Sequence, residues 1–385
     1  MKPVTFGLTL VGMDPDVKPT SPLPDGWSAL AGRSSTLLRE TQDEGGGWPA
    51  SPTFPPYGFC WFRDGSFVAE GASASGLLPE ADRFNAWCAD VLKRERPAVD
   101  AVVDAVAAGT DLADSNYLPA RYAIDGTRHV DDWWNFQVDG YGSWLWALER
   151  HLGRSGGRVA PYADAVETAT RYLVATGRGT CRDWWEEHRD QHHVTTLAGV
   201  SAGLLAAVRM GSLDRELADR AADVAAEARA DILGSGVHNG HLVKWLGGDE
   251  IDASLLAVAA LYDVLPLDDA LVVATVDHVE ALLTDGGVHR YPTDTFYGGG
   301  QWPVLACLLA WHHARAGSAT RAHELLDWVV GTTDADLLLP EQVAPRLAPD
   351  RLAEWDERWG PSAHPLVWSH GMFLGALAVL TQAEG

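Results

Sequence analysis

The sequence predicts an all-α fold, an (α/α)6 barrel with six inner and six outer helices and no large β domain. Apolar residues recur with helical spacing almost everywhere after residue 60. Segments rich in Ala, Gly and Leu, at 191–210 and 299–316, alternate with segments that have a charged face, such as 213–232. This alternation is typical of inner and outer helices, because only an outer helix exposes one face to water.

The predicted helices are bounded by residues that start or stop a helix. In the segment 213–232 the apolar residues recur every three or four positions, with Ser212 placed as an N-cap and Gly234 as a stop. Similar patterns predict eleven helices, at 64–76, 80–108, 137–153, 161–177, 191–210, 213–232, 249–263, 267–285, 299–316, 319–331 and 365–382.

Polar, aromatic loops precede the first predicted helix and then every second one. They are YGFCWFRDGS (57–66), DDWWNFQVDGYG (131–142), CRDWWEEH (181–188), KWLGGDEID (244–252), HRYPTDTFYGGGQW (289–302) and LLLPEQ (337–342). If alternate helices run parallel in an inner ring, these loops converge at one end of it. We therefore expect residues 57–385 to form the barrel. Residues 1–56, with many Pro, Gly and Ser, would form an extended arm or a loop-rich cap packed on it.

The composition indicates which kinds of molecule the protein can bind. A formal net charge of −24, with no basic block to reverse it locally, argues against nucleic acid and against an anionic membrane surface. A neutral ligand is not repelled by such a surface, and the acidity also serves solubility. The 17 tryptophans are unusual in number, and each offers a flat apolar face and one N–H that suit a ring-shaped ligand.

The sequence predicts a cytoplasmic location. The first residues, MKPVTFGLTLVGMDPD, lack the apolar core and cleavage site of a secretory signal. No apolar run approaches the roughly 20 residues that span a bilayer. The four cysteines are scattered without CxxC pairing, which indicates neither a zinc ribbon nor a disulfide framework. The oligomeric state is left open.

Two of the loops carry carboxylates in aromatic or apolar surroundings. Asp183, Glu186 and Glu187 lie beside two tryptophans, and burial against such rings raises the pKa of a carboxyl. Glu341 ends the apolar run LLLP. The cleavage of a glycosidic bond needs a carboxylic acid and an opposed carboxylate, which this pair of loops would supply. The alternative for both is an ordinary acidic residue at a helix start, where the helix dipole favours it.

The loops resemble those of glycoside hydrolase family 15, the glucoamylase family, in matching order over residues 57–370. The matching positions are Tyr57, Trp61, Arg63 and Asp64; Trp133, Gln137, Asp139 and Gly140; Asp183, Trp185, Glu186 and Glu187; Arg290, Tyr291, Pro292, Asp294 and Thr295; Glu341 and Gln342; and Trp368 and Ser369. Two features depart from the family pattern. We expect neither the β-sandwich nor the starch-binding module that many members carry, and Val-Ala-Pro follows Gln342 where the family often has an aromatic residue and Asp.

The resemblance implies an inverting hydrolase that removes single glucose units, with residues 57–385 as the catalytic barrel, Glu186 as general acid and Glu341 as general base. It implies substrate contacts from Tyr57, Trp61, Arg63, Asp64, Trp133, Gln137, Asp139, Asp183, Trp185, Glu187, Arg290 and Trp302. For Arg63 and Asp64 the alternative is a salt bridge beside a helix start, and for each tryptophan it is core packing. No metal and no organic cofactor is expected.

Among substrates we rank isomaltose and α-1,6 isomalto-oligosaccharides first, because a cytoplasmic enzyme would meet small imported sugars. Maltose-type α-1,4 glucosides and α,α-trehalose are alternatives, and a non-catalytic sugar-binding barrel or a disaccharide phosphorylase would be a different class. The G-x-S-x-G pattern at 199–203 has helical flanks, which argues against an esterase. His188 and His192 lie four residues apart beside Glu187, but no third metal ligand is apparent.

Overall fold

A computed structural model describes residues 23–129, 131 and 133–385. Its α-helices are α1 (Asp25–Thr41), α2 (Phe62–Ala74), α3 (Leu78–Ala107), α4 (Asp139–Ser155), α5 (Ala163–Thr176), α6 (Val194–Met210), α7 (Arg215–Ser235), α8 (Ala257–Ala260), α9 (Ala270–Leu283), α10 (Pro303–Arg315), α11 (Ala319–Gly331), α12 (Leu352–Trp359) and α13 (Val367–Glu384). Three antiparallel two-stranded sheets pair β1 (Cys60–Trp61) with β2 (Arg121–Tyr122), β3 (Val237–His238) with β4 (His241–Leu242), and β5 (Thr284–Asp285) with β6 (Gly287–Val288).

Six of the helices form a closed inner ring. Helices α2, α4, α6, α8, α10 and α13 each pack against the next, and α13 closes the ring on α2. Helices α1, α3, α5, α7, α9 and α11 pack outside them, and each buries one face only. The six helices predicted to be inner are the ones found in the ring. The predicted (α/α)6 barrel is therefore confirmed.

Helix α1 corrects the prediction for the beginning of the chain. Residues 25–41 were expected in an extended arm or a loop-rich cap, whereas they form a helix that packs against α11 and α13. Trp27, Leu30 and Leu37 recur on its buried face, and the Trp27 Nε1–H donates to Asp327 Oδ1 at 2.7 Å. This helix is the sixth outer one. Residues 1–22 lie outside the described part, and the division of the chain at residue 56 stays a prediction.

Glycines let the inner helices approach closely. A Cβ on Gly142 of α4 would collide with the carbonyl of Gly199 in α6, and a Cβ on Gly203 would collide with Gly142. The sequence GVSAG at 199–203 therefore serves helix packing. Ser201 lies within α6 and donates to the Ala225 carbonyl at 3.0 Å, so there is no strand–turn–helix nucleophile elbow here.

The fourth inner helix is much shorter than predicted. The sequence predicts a helix over 249–263, but the structure has one 3₁₀ turn (Ala253–Leu256) followed by the single turn of α8. Asp252 ends the preceding loop and caps the turn by accepting from the Ser254 N–H at 2.8 Å. Residues 249–252 thus remain in the loop layer at the N-terminal end of the ring.

Helix α12 belongs to neither ring. It lies in the connection between Glu341 and α13, where no helix was predicted. No described helix combines the length and the apolar character that crossing a membrane requires.

Candidate active site

The loops that precede the inner helices enclose a cavity of about 350 Å³. Most of the predicted site residues line it, namely Tyr57, Trp61, Arg63, Asp64, Trp133, Trp185, Glu186, Glu187, Arg290, Trp302 and Glu341. Its walls are aromatic and its charged groups are carboxylates and guanidinium groups. This combination suits a neutral ring-shaped ligand that carries many hydroxyl groups.

Glu186 lies on a tight turn. Asp183 Oδ1 accepts the backbone N–H groups of Trp185 at 2.9 Å and Glu187 at 2.8 Å, and Glu186 itself has a φ of 66°. A positive φ is uncommon for a residue with a side chain, so the neighbouring hydrogen bonds must hold the turn. The expected alternative, an acidic helix start, is therefore not what residues 183–187 form. The turn presents Glu186 to the cavity.

Two indoles hold the Glu186 carboxyl. Trp61 Nε1–H donates to Oε1 at 2.7 Å and Trp133 Nε1–H donates to Oε2 at 2.9 Å. Burial raises the pKa of Glu186, while the two indole donors and the nearby guanidinium groups of Arg63 and Arg121 oppose that rise. The carboxyl is thus fixed in orientation at both oxygens.

Glu341 is more deeply buried and less well satisfied. Tyr57 Oη–H donates to its Oε1 at 2.8 Å, and its Oε2 has no hydrogen-bond partner among the described residues. Burial raises the pKa of Glu341 to about 7. The Tyr57 ring also packs edge-on against Trp61, the donor to Glu186, with centroids 5.7 Å apart. The two carboxyls therefore line one cavity, and each is bound by one member of this aromatic pair.

The backbone that carries Glu341 is fixed by a buried histidine. The Leu339 N–H donates to His370 Nε2 at 2.9 Å, so the ring proton lies on Nδ1, which donates to Ser34 Oγ at 2.8 Å. Burial lowers the pKa of His370 to about 3, which keeps this acceptor unprotonated. The Glu341 N–H is bound by the Ala363 carbonyl at 2.8 Å.

Arg63 and Asp64 occupy a buried part of the cavity wall. Arg63 Nη1–H donates to Gln137 Oε1 at 3.1 Å and to Asp139 Oδ2 at 3.3 Å, while its Nε lies 3.4 Å from Asp64 Oδ1. Neither Arg63 Nε nor Asp64 Oδ1 has a hydrogen-bond partner among the described residues. Burial raises the pKa of Asp64 to about 6. The two residues thus form the ion pair at a helix start that was the alternative, and they also line the cavity.

Three of the predicted substrate-binding residues do not line the cavity. Gln137 and Asp139 hold Arg63 from behind, and Asp183 holds the turn that carries Glu186. Lys244, which the sequence analysis did not single out, lies 3.4 Å from Asp183 Oδ2 and 3.2 Å from Asp252 Oδ2. These buried groups support the residues that face the ligand.

One described group of side chains has the spacing of metal ligands. The ligand atoms of Asp183, Glu187 and His188 lie within 4.8 Å of one another. Lys244 and Arg290 approach the first two carboxylates to 3.4 and 3.5 Å, so their charge is already balanced by cations. His192, the other half of the sequence pattern, binds the Arg178 carbonyl instead. The group fits an ion-pair cluster.

Several cavity residues were missed by the sequence analysis as substrate contacts. They are Ala50, Trp134, Arg182, Trp184, His188, Phe296, Trp355, Trp359, Leu366 and Trp368. Trp355 and Trp359 come from α12, and the Trp359 ring stacks on Trp133 with centroids 5.6 Å apart. The four-residue spacing of these two tryptophans is the signal that could have found them, since it places both on one face of a helix.

Comparison with known proteins gives a consistent result. The model of the family described as "Glycosyl hydrolases family 15" matches residues 27–338. The isomaltose glucohydrolase of Kribbella flavida is 43% identical over 349 residues, which cover 90% of this chain and 91% of that protein. The trehalase of Mycobacterium tuberculosis is 29% identical over 344 residues, and the matched part covers 83% of this chain but 48% of the trehalase.

Solved structures agree with this pattern. A wild-type glycosidase is 41% identical, covers 93% of this chain and 99% of its own, and superimposes with a TM-score of 0.90. A variant glycosidase in complex with glucose has the same identity, coverage and TM-score. A bacterial glucoamylase complexed with acarbose is 19% identical, with a TM-score of 0.73 over 92% of this chain and 55% of that one, and shows the shared fold.

Proposed function

The chain belongs to glycosyl hydrolase family 15 and is an exo-acting α-glucosidase, and we propose that it hydrolyses isomaltose or short isomalto-oligosaccharides. The similarity to isomaltose glucohydrolase extends over nearly the full length of both chains and supports an α-1,6 substrate. The relatives named trehalase are less similar, and this chain spans about half of their length. Trehalose and α-1,4 glucosides are therefore the alternatives.

We propose that Glu186 protonates the glycosidic oxygen and that Glu341 activates the attacking water, so that the glucose released is the β-anomer. The observation that carries this assignment is the contrast between the two carboxyls in one cavity. Glu186 is oriented at both oxygens by indole N–H groups, which fixes the direction in which it would deliver a proton. Glu341 has one buried oxygen without a partner among the described residues, and we propose that the attacking water donates to it in the substrate complex.

Burial raises the pKa of both carboxyls, and hydrogen bonds oppose the rise at each. Burial raises the pKa of Glu341 to about 7, while the two indole donors counteract the rise at Glu186. A bound glucoside would give a protonated Glu186 an acceptor in the glycosidic oxygen, and a water would give an ionised Glu341 a donor. We propose that substrate binding selects the form with the proton on Glu186.

The cavity also supports a discrimination between sugars. Arg63 Nε and Asp64 Oδ1 are buried and have no partner among the described residues, so a hydroxyl that satisfies them contributes more than one exposed to water. A ligand that lacks this hydroxyl would leave these two atoms buried without a hydrogen bond, with only the ion pair between them. We propose that this pair recognises the terminal glucosyl unit.

Glucose release from a panel of isomaltose, maltose and trehalose, with and without phosphate, tests the proposed substrate. We expect the highest kcat/KM with isomaltose and no dependence on phosphate. Faster release from trehalose or maltose would contradict the α-1,6 assignment, and glucose 1-phosphate formation would show a phosphorylase. Thermal stabilisation by sugars without any turnover would show a non-catalytic sugar-binding barrel.

We also propose that the enzyme acts in the cytoplasm. Support comes from the four cysteines, which are all free and buried, as is usual in a reducing compartment.

A further inference from the structure

Arg121 is a buried cation next to the Glu186 site that the family motifs do not include. It lies on β2, directly opposite Trp61 of β1, and its side chain is 2% exposed. A buried guanidinium needs partners for its N–H groups and its charge. The identity of these partners indicates what the residue does.

The guanidinium of Arg121 is sandwiched between aromatic rings. Its central carbon lies 4.1 Å from the centroid of Phe59 and 4.2 Å from that of Trp133, with Trp61 at 5.1 Å. A planar cation at these distances is attracted to the ring faces and fixes the rings relative to one another.

Hydrogen bonds hold the same guanidinium in place. Nη1–H donates to the Pro56 carbonyl at 2.9 Å, and Nη2–H donates to Asp131 Oδ2. Asp131 Oδ1 in turn accepts the backbone N–H of Trp133 at 3.1 Å. Arg121 therefore holds Trp133 through its ring and, by way of Asp131, through its backbone.

We propose that Arg121 is a positioning residue for the proton donor, which keeps the indoles of Trp61 and Trp133 in place to bind the two oxygens of Glu186. This inference rests on the proposed role of Glu186. Lysine cannot replace Arg121 in this role, because a point-like ammonium does not fill the flat space between two rings while bonding Pro56 and Asp131.

The test compares two substrates that differ in their need for a proton. Isomaltose has a sugar alkoxide as leaving group and depends on the general acid, whereas α-glucosyl fluoride releases fluoride and depends on it little. We expect Arg121→Lys and Arg121→Met to lower kcat on isomaltose by about 10- to 100-fold and on the fluoride by less than about 3-fold. An equal loss on both substrates would overturn the proposal.

A double-mutant cycle tests whether Arg121 acts through Trp133. Trp133→Phe keeps a ring but removes the N–H that binds Glu186. If Arg121 works by placing that N–H, adding Arg121→Met to Trp133→Phe should cost little further isomaltose activity. Fully additive losses would mean that Arg121 does not act through this indole, and would contradict the proposal.

Two controls separate this idea from folding and from the role of Glu186. Arg128→Met breaks the ion pair with Glu95, and should lower the melting temperature without changing the ratio of the two activities. If Arg121→Met does not fold, Asp131→Asn replaces it as the test. This variant weakens the ion pair that holds Arg121, at a partly exposed residue, and should also lower kcat on isomaltose more than on the fluoride. Glu186→Gln must itself show the substrate-dependent loss. If it does not, the assignment of Glu186 fails independently of Arg121.

Discussion

The two carboxyls of the cavity are held in opposite ways. Glu186 lies on a short turn, and side chains from two other loops bind both of its oxygens. Glu341 lies on a backbone segment that His370 and Ala363 fix, and the phenol of Tyr57 binds one of its oxygens. The carboxyl proposed as proton donor is thus oriented at both oxygens, whereas the carboxyl proposed as base has one buried oxygen without a partner among the described residues.

Replacement of either carboxyl should have the largest effect on activity, and the two variants should differ in the substrate that they still hydrolyse. Glu186→Gln and Glu341→Gln are each expected to lower kcat on isomaltose by about 10²- to 10⁴-fold. With α-glucosyl fluoride, Glu186→Gln should retain most activity because fluoride leaves without a proton, whereas Glu341→Gln should not, because water still needs a base. Steady-state kinetics on both substrates measure this. Reversed behaviour of the two variants would exchange their roles.

Tyr57→Phe should change the pKa of Glu341 and leave the hydrogen bonds of Glu186 in place. The variant removes the hydrogen bond to Oε1, which favours the ionised carboxylate, so the pKa of Glu341 should rise further above about 7. We expect kcat/KM to fall by about 10- to 100-fold near pH 6, and the limb of the pH profile that reports Glu341 to move to higher pH. An unchanged profile would show that the phenol does not tune Glu341.

Substitution of His370 should also act on Glu341, with a smaller loss of activity. His370→Leu removes the acceptor of the Leu339 N–H, which should let the segment with Glu341 shift and lower kcat by about 3- to 10-fold. The loss of kcat should be equal on isomaltose and on α-glucosyl fluoride, whereas the Arg121 variants should lose activity mainly on isomaltose. His370→Gln can accept from Leu339 and donate to Ser34, and should restore part of the activity. A loss confined to isomaltose would contradict this assignment.

The smallest expected effect is on stability. The pKa of Glu341 is about 7 in the folded chain and about 4.5 in a free side chain, so burial of this carboxyl costs stability progressively as the pH rises from 4.5 to 7. Glu341→Gln should therefore increase the free energy of unfolding by about 1–3 kcal/mol at pH 8, and much less at pH 5. Thermal unfolding at both pH values measures it, with the exposed Glu354→Gln as control. Equal effects at both pH values would contradict it.

The sequence predicted those parts of the molecule that depend on local pattern. Helical periodicity placed five of the six inner helices along most of their length, and the ordered loop motifs placed Glu186, Glu341 and Arg63 around one cavity. The single turn of α8 was not predictable in this way, because its apolar run looks the same whether it continues a helix or ends at a capped turn. Helix α1 was missed because the Pro- and Gly-rich residues around it dominate the composition of the segment.

Contacts between distant segments explain what the sequence did not reveal. Arg121 is unremarkable in the sequence LPARYAIDG, and its proposed role depends on rings and a carbonyl group from two other segments of the chain. The Trp359 ring meets Trp133 only because the connection after Glu341 folds back over the cavity as α12. The hydrogen bonds that oppose the raised pKa of each carboxyl likewise come from other loops, which spacing along the chain does not encode.

The anomeric form of the first glucose released from isomaltose tests the assignment of Glu186 and Glu341 most directly. Proton NMR during the first minutes of hydrolysis distinguishes the two anomers before they interconvert. Attack by a water activated at Glu341, opposite a leaving group protonated by Glu186, predicts β-glucose as the initial product. Initial α-glucose would mean retention through a covalent intermediate, and would contradict the roles proposed for both carboxyls.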